Sequence, residues 1–230
     1  MIRILCPVSL CLALLIPSLL NPVARSDEAP PLRSLIGHIS SSQSVVFSPD
    51  GKLLASGGKA GQIIVWETAS WKKRHTIHTN YGECNGVAVS PDSRLLASVK
   101  TDEGKEVAIH GMESGRLLHT MEHRQARAIA FSPDGKLIAT GCNHKLIKLW
   151  DANTWELKQT LTGHPGQITA LAFSPDSKTL AGINYVDAYD QDNPVLLWDV
   201  ETGKQKRVLA NRGQVFTVAF SPDGKWVASI

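Results

Sequence analysis

Apolar residues along the chain come in runs of three or four, and the runs come in sets. The first set reads Ser44-Val45-Val46-Phe47, a Ser-Pro-Asp-Gly break, Lys52-Leu53-Leu54-Ala55-Ser56, a break rich in Gly and Lys, and Ile63-Ile64-Val65-Trp66. A more polar run, Lys72 to Ile77, closes it. Runs this short between turn residues predict strands, since a helix needs about 10–12 residues of periodic pattern. New sets open at Gly86-Val87-Ala88-Val89, Ala128-Ile129-Ala130-Phe131, Ala170-Leu171-Ala172-Phe173 and Val218-Ala219-Phe220. Three nearly all-apolar strands and one mixed strand describe a small antiparallel sheet, buried on both faces except at its outer edge.

The breaks repeat as well. FSPDG occurs from Phe47, Phe131 and Phe220, FSPDS from Phe173 and VSPDS from Val89, with the serines at Ser48, Ser90, Ser132, Ser174 and Ser221. Pro is preset for the second position of a tight turn and Gly suits the fourth. A sheet buried on both faces needs a like neighbour on each side, and stacking repeated sheets radially supplies them. The predicted fold is therefore all-β: a β-propeller of four-stranded antiparallel blades, with units at about 37–79, 80–121, 122–162 and 163–209 and a partial fifth at 210–230.

The repeat resembles the WD-repeat propellers. Gly37-His38 and Gly163-His164 precede a first strand, and Trp150-Asp151 and Trp198-Asp199 end a third. Trp66-Glu67 is a near match, and His110-Gly111 takes that place in the second unit. The resemblance covers about residues 32–230 and implies a structural hydrogen-bond chain in each blade, running from His to a Ser/Thr on the second strand, an Asp in the following turn and the Trp. By position these are His38, Ser56, Ala60 and Trp66 in unit one, and Asn80, Ser98, Gly104 and His110 in unit two. Unit three has His123, one residue out of register, with Thr140, His144 and Trp150; unit four has His164, Gly182, Asp192 and Trp198. No unit is complete. Leu32-Arg33-Ser34-Leu35-Ile36 reads as a lone fourth strand, and the fifth unit carries only two strands. The expectation is a truncated, secreted bacterial-type member of the family, part of a larger ring of about seven blades.

Residues 1–26 change the expected compartment. Arg3 is followed by an uncharged apolar run from Ile4 to Leu20 and a small-residue exit, Ala24-Arg25-Ser26. This is the pattern of a cleaved signal peptide. The run is broken by Pro7 and Pro17 and falls short of the roughly 20 residues a membrane span needs, although retention as an anchor is the competing reading. Residues 27–31 form a linker. The expected location is periplasmic or extracellular, with no membrane insertion once the leader is gone.

Charge then excludes one class of partner. The 24 Lys and Arg against 21 Asp and Glu give +3, but Arg3 and Arg25 lie in the leader, leaving 22 against 21, or +1. A reader of nucleic-acid phosphates carries a clear basic excess, so none is expected here. Cys6 and Cys11 leave with the leader, and Cys84 and Cys142 remain, either as free thiols or as one bridge. The chain contains no CxxC, GxSxG, HExxH or Walker-type loop, and the turn serines recur in every unit. No catalytic residue, cofactor or metal site is predicted.

One irregularity points to binding. The turn between strands two and three of unit four is longer than in units one and three and contains Tyr185, Asp187, Tyr189, Asp190 and Asp192. Loops on a rigid scaffold concentrate binding residues, and tyrosine is enriched at interface anchors. Tyr185, Asp187, Tyr189 and Asp190 are the candidate partner contacts. A solvated insertion is the plain alternative, and calcium a third, although the acidic spacing does not match an EF-hand loop. The functional expectation is a non-catalytic protein–protein interaction scaffold with an unidentified protein partner. The alternative is a propeller enzyme or ligand-binding module of the lactonase-like or Tol-type periplasmic kind.

Overall fold

Each Ser-Pro-Asp break folds into a turn tied at both ends by its serine. The computed structural model describes residues 34–79, 82–100, 106–185, 193–211 and 214–230. In the first turn Gly51 N–H donates to Ser48 O (2.8 Å), the Ser48 hydroxyl donates to Asp50 Oδ1 (2.6 Å), and Leu53 N–H donates to Ser48 Oγ (2.9 Å). The same serine-to-aspartate bond recurs from Ser90, Ser132, Ser174 and Ser221. The Ser48 hydroxyl and the Lys52 N–H hold the Asp50 carboxyl below the usual carboxylate range. The fourth turn position is left-handed throughout: Gly51 (φ 71°), Ser93 (63°), Gly135 (72°), Ser177 (62°) and Gly224 (71°).

The turns join the strands that the apolar runs predicted. The first blade is β1 (Ser42–Phe47), β2 (Leu53–Gly58), β3 (Gln62–Glu67) and β4 (Lys73–His78); the second is β5 (Cys84–Val89), β6 (Leu95–Lys100), β7 (Glu106–Gly111) and β8 (Leu117–Glu122). The third is β9 (Ala126–Phe131), β10 (Leu137–Cys142), β11 (Ile147–Asp151) and β12 (Leu157–Leu161); the fourth is β13 (Gln167–Phe173), β14 (Thr179–Tyr185), β15 (Val195–Asp199) and β16 (Gln205–Leu209). A two-stranded sheet of β17 (Val218–Phe220) and β18 (Val227–Ser229) follows. Every blade is an antiparallel meander in sequence order. The register between third and fourth strands shifts at the same place each time, at Trp66, His110, Trp150 and Trp198. A bulge there adds twist to the outer strand.

The core is a series of interfaces between blades. First strands pack in the order β1, β5, β9, β13, β17. Val65 and Ile77 of blade one meet Cys84, Val87 and Leu96 of blade two, and Ala139 and Leu149 of blade three meet Ile168, Leu180 and Trp198 of blade four. Fully burying each large side chain stabilises by about 1.5–3 kcal/mol. Where the described residues provide no neighbour, the same positions are open: Val45 and Phe47 of β1 are 39% and 45% exposed, against 7% and 9% for Val87 and Val89 of β5. Leu35, a single bridge residue, is buried against Leu54, Ile64 and Trp66. The predicted strand at 32–36 thus survives at its described end as a packing contact.

A second device recurs after each third strand and ties blade three to blade two. The turn after the third strand ends in a left-handed residue at Trp71 (φ 55°), Gly115 (67°), Trp155 (65°) and Gly203 (67°), whose N–H returns to the residue four earlier. For a tryptophan this conformation costs about 1–2 kcal/mol. The Trp155 ring offsets that cost by stacking on His119 of β8, with centroids 5.6 Å apart. Trp71 packs in the cluster that contains Leu35.

Polar ties between turns alternate along the stack. Asp50 N–H donates to Ser93 Oγ and Asp134 N–H donates to Ser177 Oγ, each at 3.1 Å. These ties join blade one to two and blade three to four. At the intervening turns the left-handed residue is glycine and has no hydroxyl to offer. Ser177→Ala keeps the backbone strain and loses the bond, so it should destabilise by about 1 kcal/mol. Ser177→Gly loses the bond but relieves the strain and should lie closer to wild type. Urea midpoints of the two variants check the order, and a Gly variant less stable than the Ala variant would refute it.

Candidate functional site

The predicted blade relays form in two units and are altered in the other two. In blade one His38 Nε2 lies 2.8 Å from Ser56 Oγ, and Trp66 Nε1 donates to the same oxygen at 2.9 Å. In blade three His123 Nδ1 lies 2.7 Å from Thr140 Oγ1, which also accepts from Trp150 Nε1 at 2.8 Å. The one-residue offset of His123 is therefore absorbed without loss of the bond. His144, the positional equivalent of the turn aspartate, is exposed and makes no described hydrogen bond in the chain.

In blade four the hydroxyl is missing and the histidine turns elsewhere. Gly182 leaves open the position of Ser56 and Thr140. A Cβ built there would lie 2.8 Å from His164 Nε2 and 3.1 Å from Trp198 Cζ3, so the ring fills the space a side chain occupies in the other blades. His164 instead places Nδ1 2.9 Å from Asn184 Oδ1 and packs on Trp198 with centroids 4.8 Å apart. Asn184 was missed in the sequence. Its signal was the two-residue strand alternation, which puts it on the same face of β14 as Gly182. Asp192 lies outside the described residues. In blade two Asn80 and Gly104 are outside them too, and Ser98 Oγ and His110 Nδ1 are buried with no hydrogen-bond partner.

Burial keeps these imidazoles neutral. Desolvation, followed by the Lys148 and His144 charges, pulls His123 down to about 3. His164 falls to about 4 through desolvation, and His110 to about 4 through desolvation with Lys100 and His75 nearby. A buried ring that resists protonation suits a structural bond and is a poor base at neutral pH. The Cys84 thiol is equally quiet. Cys84 and Cys142 are both free and fully buried, and burial pushes the Cys84 thiol up to about 12. The bridge alternative is not formed. Among the described residues no group of three His, Cys, Asp or Glu side chains could hold a metal ion.

The candidate partner contacts are divided by what is described. Tyr185 closes β14, half-buried and in register with Gln167 of β13. Asp187, Tyr189 and Asp190 lie outside the described residues, in the connection that resumes at Asn193. An open cleft of about 280 Å³ lies beside His123 in blade three, lined by Glu122, Arg124, Cys142, His144, Leu146 and Lys148.

Comparison with known proteins agrees with this architecture. A family model described as the second β-propeller of WD repeat-containing protein 75 matches residues 87–204, more than half of the chain. The chain belongs to the WD-repeat β-propeller family. A second model, the WD domain or G-beta repeat, matches residues 29–67 and 203–229 of this WD-repeat chain. Eukaryotic translation initiation factor 3 subunit I of Pyricularia oryzae is 26% identical over 178 residues, covering 74% of the chain and 52% of that protein. Small ribosomal subunit protein RACK1 of Candida albicans is 30% identical over 129 residues, covering 52% of the chain and 39% of that protein. The WD-repeat chain thus spans about half or less of the length of these curated relatives. Among solved structures, Kuenenia stuttgartiensis hydrazine synthase superposes with a TM-score of 0.75 at 20% identity, covering 84% of the chain and 57% of that structure. That likeness is one of fold.

Proposed function

We propose that the protein is a non-catalytic scaffold that binds a protein partner through the β14–β15 connection of a rigid WD-repeat propeller, and that it acts after export. The observation that carries the reading is the use of its reactive side chains. His38, His123 and His164 bond to Ser56, Thr140 and Asn184 inside blades, and the turn serines close turns. Such groups hold a scaffold rigid and leave recognition to loops. Two of the similar proteins are named as a subunit of an initiation factor and a protein of the small ribosomal subunit, which supports a role inside assemblies. A net charge of +1 after removal of the leader supports a protein partner over a nucleic acid.

Deleting 186–190 in the full chain should abolish capture of the partner in a pull-down from the exported fraction while leaving the thermal melt within a few degrees of wild type. Tyr185 stays in place in this variant because it belongs to β14. Capture that survives the deletion refutes the assignment of the loop. Mass spectrometry of the exported protein should find an N-terminus at Asp27, and an intact Met1 in a membrane fraction refutes cleavage.

A further inference from the structure

The blade-three relay has a proton to spare. Thr140 Oγ1 accepts from Trp150 Nε1, so its own hydrogen must be given away, and the acceptor within reach is His123 Nδ1 at 2.7 Å. The neutral ring then carries its proton on Nε2. That nitrogen is buried, with His123 only 3% exposed, and has no hydrogen-bond partner. An unpaired buried N–H is costly and calls for an explanation, and a ligand or bound group that completes it is one.

The surroundings name the missing group. His123 lines the open cleft of about 280 Å³, whose other polar walls are Arg124, Lys148, His144 and Glu122. The one acid is engaged: Glu122 Oε1 lies 3.8 Å from Arg124 Nε. Lys148 Nζ donates to Glu122 O at 2.9 Å and stands 5.2 Å from the centre of the Trp150 ring, which fixes the ammonium beside the relay. Its two remaining hydrogens, the Arg124 guanidinium and the His123 N–H make a wall of donors, with Cys142 and Leu146 as an apolar floor. From this geometry we infer that the blade-three cleft binds a carboxylate, carried either by a small organic acid or by an acidic side chain of a docked protein. With the side chains over His123 drawn aside, one carboxylate oxygen accepts from His123 Nε2–H and the other faces Lys148. The inference stands independently of the β14–β15 loop.

The test follows the histidine itself. In ¹⁵N-edited imidazole spectra of the full chain, acetate should shift the His123 Nε2 resonance saturably, with half-saturation at roughly 1–30 mM, the range of a few exposed charge-assisted contacts. Sodium chloride at equal ionic strength should not. A capped tripeptide with a central aspartate is the second arm. Saturation by acetate alone assigns the cleft to free acids, and tighter saturation by the peptide assigns it to an acidic side chain. His144→Asp places a carboxylate on the same cleft wall; it should raise the melting temperature and reduce the acetate response at least fivefold. Lys148→Ala should weaken acetate about fivefold. A His123 resonance that moves equally with acetate and chloride, or a full acetate response in His144→Asp, overturns the site.

Discussion

Lowering the pH from 6.5 to 5 is expected to remove about 5 kcal/mol of stability, mainly through three buried histidines. His123 titrates at about 3 and His110 and His164 at about 4 in the folded chain, against 6.5 for the unfolded reference. Each folded value is depressed for a cation-forming group, so the unfolded chain takes up the proton first. The stability of the neutral rings is fully present above 6.5 and drains away as pH falls toward 4. Near pH 5 each ring contributes almost one proton of difference, and three protons correspond to about 4 kcal/mol per pH unit. His123 is 3% exposed and His110 and His164 are each 5% exposed, so solvent screens little of the effect. A domain whose whole stability is about 5–15 kcal/mol cannot absorb such a loss for long. Urea titrations at pH 7.5, 6.5, 5.5 and 5 read it directly, and a free energy flat between 6.5 and 5 would show that the rings titrate normally.

Thr140→Val should cost about 3 kcal/mol, while Ser98→Ala at the equivalent position of blade two should cost nothing. Valine fills nearly the same volume as threonine, but it leaves Trp150 Nε1 and His123 Nδ1 both unpaired in a buried setting. Each orphaned group carries a penalty of about 1–3 kcal/mol. Ser98 Oγ is fully buried and bonds to nothing, so replacing the serine by alanine removes an unpaired polar atom and should be neutral or stabilising by up to about 1 kcal/mol. Thr140→Ser restores the hydroxyl and separates the bond from the methyl group. Equal losses in Thr140→Val and Ser98→Ala would mean that the second strand tolerates change uniformly and that the relay contributes nothing.

The blades were legible because their signals are local. A turn serine that accepts from the residue five positions on, and apolar runs of strand length, lie within a dozen residues of one another, so Phe47 to Trp66 declares most of its blade. The relays of blades one and three were legible for the same reason, since His38, Ser56 and Trp66 hold fixed offsets. What stayed hidden depends on neighbours. Trp71 and Trp155 read as ordinary residues of a polar stretch, yet both take a left-handed conformation, Trp155 stacked on His119 of the preceding blade and Trp71 packed in the cluster of Leu35, Leu54, Ile64 and Trp66. Asn184 replaced a missing hydroxyl that no motif contains, and the cleft at His123 is lined by His144, which stands where a turn acid was expected. The predicted contacts Asp187, Tyr189 and Asp190 fall outside the described residues, so of that group only Tyr185 has a known position, at the end of β14.

The fourth residue of the Ser-Pro-Asp turn alternates glycine and serine, from Gly51 through Ser93, Gly135 and Ser177 to Gly224. Because only the serine hydroxyls reach a neighbouring turn, the seams between blades are of two kinds and the turn-to-turn ties repeat every two blades. Blades one and two share such a tie, as do three and four, while the seam between Ser93 and Gly135 has none and is spanned instead by the Trp155–His119 stack. Excising a single blade would bring two like seams together, whereas excising a doublet preserves the alternation.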